Sequence, residues 1–133
     1  MQPAPLMLVS AALLLATPVV WAADCSEAAN QASLNQCIAE NHAAQDKRLN
    51  QVYGEYRARL SASQKQQLKA AQRAWMEFRD RSCAFEVSAA QGGSAYPMAL
   101  KGCLAAKTAT RVEELQRLAS CAEGDLACPA PAR

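Results

Sequence analysis

Two cysteines, Cys83 and Cys103, stand ten residues before and ten after Gly93. Between them lies Gly92-Gly93-Ser94-Ala95-Tyr96-Pro97, and apolar residues recur at helical spacing on both sides. Glycine readily takes the positive φ that ends a helix, and proline suits a helix's first turn. The stretch predicts two antiparallel helices joined by a short turn. The two cysteines should face each other near its closed end. A disulfide needs Cα atoms within about 7 Å, which such a hairpin supplies.

The chain opens with an almost wholly apolar run from Leu6 to Val20, then Trp21-Ala22 and polar sequence. The run is shorter than the ~20 residues of a membrane span. Small or short residues at Val20 and Ala22 fit a signal-peptidase site, so residues 1–22 read as a cleaved secretory signal. About 110 residues remain, enough for one domain with a thin core. All six cysteines lie in that part: Cys25, Cys37, Cys83, Cys103, Cys121 and Cys128. An even count in a short exported chain implies disulfides, with 15 possible pairings for six. Neighbours in sequence are the favoured partners: Cys25 with Cys37, Cys83 with Cys103, and Cys121 with Cys128. No pair is spaced C-x-x-C and His42 is the sole histidine, so no metal site is expected. Export points to the periplasm or to secretion.

Periodicity predicts an all-α fold, a small antiparallel bundle of about three helices stapled by disulfides, over residues 23–120. Residues 121–133 form a disulfide-closed loop and a frayed tail. The first helix runs from about Asn35 to Arg59, with Ile38, Gln45, Leu49, Val52, Tyr56 and Leu60 on one face. Gly54 within it leaves room for a close helix approach. Ser61 with Gln64, or Ser63 with Gln66, can form a capping box. The second helix, from about Gln64 to Ala90, carries Leu68, Ala71, Trp75, Phe78, Ser82, Phe85 and Ala89 at spacings of three and four. That is the pattern of a packed seam. The third runs from Pro97 to about Ser120, with Leu100, Leu104, Thr108, Arg111, Leu115 and Leu118 facing inward. Counting back from the staple sets Trp75 opposite Arg111, so the guanidinium should stack on the indole or pair with Glu77. Asp80 should lie near Lys107, and Arg79 should be half buried and paired.

Several of these residues form a pattern: Cys25 and Cys37, Gln72-x-x-Trp75-x-x-x-Arg79-Asp80-x-x-Cys83, Gly92-Gly93-Ser94, Cys103-Leu104, and Thr108-x-x-Arg111-x-x-x-Leu115. The pattern resembles the lysozyme inhibitor LprI-like domain family and covers about Cys25 to Leu118. Cys121 and Cys128 lie beyond it. The resemblance implies a small, helical, disulfide-bonded, exported protein, and binding and inhibition of lysozyme by at least one member.

The residues themselves hold no catalytic constellation. A nucleophile needs a base within hydrogen-bond reach, and His42 falls on the inner stripe of the first helix. Glu113-Glu114 and Glu77 with Asp80 read as solvated or salt-bridged helix residues, not as an acid pair flanking a cleft. The Gly92-Gly93 turn has no lysine and is no phosphate loop. No cofactor is expected. Export and a net charge of +2 argue against nucleic acid, and the helix faces fit mutual packing better than a membrane surface.

Charge is nevertheless uneven. Asp24, Glu27, Glu40 and Asp46 precede the first basic residue, Lys47, and the remainder carries 14 basic and 8 acidic residues. Such polarity can steer a charged partner. Two segments are candidate contacts for a lysozyme-type glycoside hydrolase. One is the stapled turn Gly92, Gly93, Ser94 and Tyr96, a preorganised loop suited to a cleft. The other is the acidic segment with Glu27 and Glu40. The alternative function is a non-inhibitory envelope scaffold or stress protein. The sequence leaves the oligomeric state open.

Overall fold

A computed structural model describes residues 24–122 and 124–129. The expected signal segment, 1–22, and the end of the tail, 130–133, lie outside the described residues. A single 3-10 turn, Cys25–Glu27, leads into α1 (Gln31–Ala58); α2 (Ala62–Glu86) and α3 (Tyr96–Ala119) follow, with a second 3-10 turn, Ser88–Ala90, after α2. Among the described residues there are no strands.

Local chemistry sets the helix ends. Asn30 caps α1: its side-chain oxygen accepts from Ser33 N–H, and Ser33 Oγ accepts from Asn30 N–H. The helix thus starts four residues before the expected Asn35, because this Asn–Ser exchange satisfies two free donors. Ser61 and Gln64 make the second reciprocal box, at the start of α2. Ser61→Ala removes one cap acceptor and is expected to lower stability by about 1 kcal/mol, read as a small fall in Tm. An unchanged Tm would show that the sharp α1–α2 corner is held by packing alone. At the other end α2 stops at Glu86, four residues before Ala90, where the chain tightens into the 3-10 turn.

The helices run up, down and up, so α1 and α3 are parallel and α2 is antiparallel to both. The main contact is between α1 and α3. Leu49, Val52, Tyr56 and Leu60 close against Leu68, Val112 and Leu115, with Tyr53, Trp75, Leu118 and Ala119 around them. Toward the other end, a methyl built on Gly102 would lie 4.0 Å from Ile38 Cγ2. That is ordinary contact, and Gly54 is exposed with nothing within 4 Å of such a methyl, so it marks no close helix approach.

This arrangement corrects the expected seam of α2. Phe78 and Phe85 are 62% and 79% exposed, whereas Gln72 and Arg79 are 7% and 8% exposed. The buried stripe is Leu68, Gln72, Arg79 and Cys83, about one residue round from the aromatic stripe. Cys83 is fully buried in its bond to Cys103, which fixes the rotation of α2. A residue four positions before it must then share its face. On α3 the inward set also includes Ala105 and Val112, because α3 packs on two neighbours and needs two faces.

Candidate functional site

The centre of the molecule is a polar knot around Arg79. Its Nε and Nη2 donate to Asp80 Oδ1 at 2.9 and 2.8 Å, and Nη1 reaches Asp46 Oδ1 at 3.3 Å and Thr108 Oγ1 at 3.1 Å. One guanidinium thereby ties α1, α2 and α3 together, using the planar fork that only arginine offers. The guanidinium carbon of Arg79 lies 5.4 Å from the Trp75 ring centroid, and that of Arg111 lies 5.6 Å from it. Arg111 thus stacks on the indole. Its charge goes to Glu114 (3.0 Å) and its Nε to Gln72 Oε1 (3.1 Å), not to Glu77, which pairs with Arg81. Asp80 does not meet Lys107. Lys107 instead takes Glu86 Oε1 at 2.9 Å and lies 5.8 Å over Phe78. Asp80 is drawn to its own neighbour because the Arg79 fork, held in the interior, donates two N–H groups to its Oδ1. The Lys107 ammonium, then the Ser82 hydroxyl, hold the exposed Glu86 carboxyl below its ordinary range.

This knot is structural. His42 Nε2 stands 3.5 Å from Asp46 Oδ2, but Asp46 is committed to Arg79 and no hydroxyl or thiol nucleophile touches the imidazole. Among the described residues no group of three His, Cys, Asp or Glu side chains could hold a metal ion.

The candidate contact residues lie elsewhere, at one end of the bundle. Because α1 and α3 run parallel, their N-termini are neighbours: Gln31 Nε2 lies 3.1 Å from Met98 Sδ. This brings the acidic entry segment and the α2–α3 turn, far apart in sequence, to the same end. Two disulfides brace it. Cys25–Cys37 ties the first 3-10 turn to α1 with Cα atoms 5.8 Å apart, and Cys83–Cys103 ties α2 to α3 at 5.6 Å. The third, Cys121–Cys128, closes the loop after α3 at the opposite end.

Within the turn, Gly92 has φ +83°, a conformation that glycine adopts without a Cβ clash. Gly93 N–H donates to Ala90 O at 3.0 Å, and Tyr96 N–H to Gly93 O at 3.2 Å. Gly92, Gly93 and Ser94 are exposed, and Tyr96 is half buried as the first residue of α3. Asp24, Glu27 and Glu40 are exposed. The Asp24 carboxyl accepts from Ser26 N–H at 3.0 Å, a hydrogen bond that holds it below the ordinary carboxylate range. Glu40 accepts from Gln36 Nε2 at 2.8 Å. Sequence reasoning missed Phe85, which it placed in the seam. Phe85 stands exposed one residue before the end of α2, and a large exposed aromatic beside a rigid loop is a typical anchor for a partner. Counting two residues on from Cys83, about 200° round the helix, shows that Phe85 cannot share the buried face.

No described helix is long and apolar enough to cross a membrane. The profile described as lysozyme inhibitor LprI matches residues 22–115. An uncharacterized protein of Rhizobium meliloti (strain 1021) is 37% identical, over 75% of this chain and 81% of its own. No solved structure matches. With the profile spanning most of the chain and such a relative beside it, this helical, disulfide-braced protein belongs to the lysozyme inhibitor LprI family.

Proposed function

We propose that this protein is an exported, non-catalytic binding protein that inhibits lysozyme-type muramidases through the end of the bundle that carries the Gly92–Tyr96 turn. The observation that supports this most is the meeting, at one disulfide-braced end, of a small exposed turn, an exposed Phe85 and the carboxylates of Asp24, Glu27 and Glu40. A rigid loop loses little conformational entropy on entering a cleft. The carboxylates toward the same end attract a cationic hydrolase and repel an anionic one. The family's description supports the choice of target.

The test is lysis of peptidoglycan by several lysozyme classes, with the oxidised protein titrated in. Wild type should inhibit with increasing dose. Replacing Gly92-Gly93-Ser94 by three bulky residues is expected to lower inhibition at least about a hundredfold, the scale of losing a central contact worth ~3 kcal/mol. Undiminished inhibition by that variant, with an unchanged circular dichroism spectrum, would remove the turn from the interface. Failure of the wild-type protein against every class would instead favour the envelope-scaffold reading.

A further inference from the structure

A second feature lies at the other end of the bundle. Two adjoining hollows, each of about 370 Å³, run along the groove between α1 and α2 and share Tyr53 and Lys69. The walls carry Arg57, Lys65, Lys69 and Arg73. None of these four side chains has an ion-pair or hydrogen-bond partner among the described residues. The one carboxylate lining the hollows, Asp46, is taken by Arg79 and His42. Lys65, Lys69 and Arg73 form an i, i+4, i+8 ladder on one face of α2. Like charges at that spacing weaken a helix slightly, so the ladder does not stabilise α2. Across from it, Gly54 sits exposed in α1 and lines the groove. It leaves the groove open where most other residues would favour the helix more.

The geometry suits a chain rather than a surface. The cations line an open groove rather than a flat face. Successive rungs of the ladder are about 6 Å apart along the helix, and alternate residues of an extended peptide are spaced about 6.6 Å apart. An extended peptide with carboxylates on one side would therefore meet the rungs in register. Tyr53, half buried between the two hollows, offers a ring face for a sugar. We propose that this groove binds the carboxylate-bearing peptide stems and adjoining sugars of peptidoglycan, holding the protein on the polymer that a muramidase cleaves. The choice of polymer rests on the muramidase-inhibitor reading; the anionic, extended character of the ligand rests on the groove alone.

The experiment is co-sedimentation of the oxidised protein with purified sacculi, without any lysozyme present. Wild type should sediment, and retention should fall about tenfold or more in Lys65→Glu/Lys69→Glu/Arg73→Glu and in 1 M salt, where charges are screened beyond about 3 Å. Sacculi with stem carboxylates capped by carbodiimide-coupled ethanolamine should not retain wild type. Wild type left in the supernatant, equal retention by a triple variant of unchanged Tm, or equal retention by capped sacculi would each overturn the proposal. So would tighter binding to vesicles of anionic phospholipid than to sacculi. Inhibition is read separately on a neutral, soluble chitooligosaccharide, where the triple variant should match wild type. Loss of inhibition there by both proteins would defeat the proposed function and leave the sedimentation result standing.

Discussion

Cys83→Ala/Cys103→Ala is expected to lower the stability of the protein by about 3–5 kcal/mol. The bond closes a loop of 20 residues, and restricting a loop of that size in the unfolded chain contributes about 3 kcal/mol. Cys83 is also fully buried, so its replacement leaves unfilled volume that adds to the loss. At about 4–8 °C per kcal/mol for a domain of this size, calorimetry should show Tm falling by more than about 10 °C. Cys25→Ala/Cys37→Ala provides the contrast. That bond closes a loop of comparable entropy, 12 residues apart, but it ties down only one 3-10 turn outside the main core. Its loss should fray that turn with little effect on the main transition. Equal Tm shifts for the two pairs would show that the entry segment unfolds with the core.

Arg79→Met is expected to cost about 2–3 kcal/mol. The guanidinium is buried, and its removal strips hydrogen bonds from Asp46, Asp80 and the fully buried Thr108. Cutting a fully buried ion pair costs about 3–5 kcal/mol. The estimate here is lower because the side chains of Asp46 and Asp80 are 39% and 59% exposed and can regain water. Arg79→Lys should recover part of the loss, since an ammonium keeps the charge but cannot form the fork. Chemical denaturation of the three proteins separates the contributions. Stability equal to wild type in Arg79→Met would show that the knot contributes nothing net and that apolar packing replaces it.

The helix count and the staple across the Gly-Gly turn were legible because each follows from local spacing. So was the stacking of Arg111 on Trp75, which needed only a count of residues outward from the turn. The phase of α2 was not. Phe78 and Phe85 outweigh Gln72 and Arg79 on any hydrophobic scale, and periodicity alone assigns the aromatic stripe to the interior. The competing signal was Cys83, whose bond outranks the aromatic residues in setting the helix's rotation, with Leu68, Gln72 and Arg79 following at 15, 11 and 4 residues before it. Asp80 misled for a related reason: a buried arginine beside it was a nearer cation than Lys107. The gathering of the acidic segment and the turn at one end could not be read from either segment. It follows from the parallel pairing of α1 and α3, which depends on contacts between residues more than sixty positions apart, such as Gln31 and Met98.

The 28-residue α1 is about 42 Å long at 1.5 Å per residue, and Glu40 and Arg57 are separated along it by about 25 Å. The buried Arg79 knot lies between those positions, and its Asp46, Gln72 and Arg79 also line the nearer part of the groove. Changes to side chains so far apart, with no common neighbour, combine independently. Substitutions at Glu40 and at Arg57 should therefore have additive effects. The loop and the Arg57 end of the groove can therefore be altered separately, while the Arg79 knot between them goes on tying the three helices together.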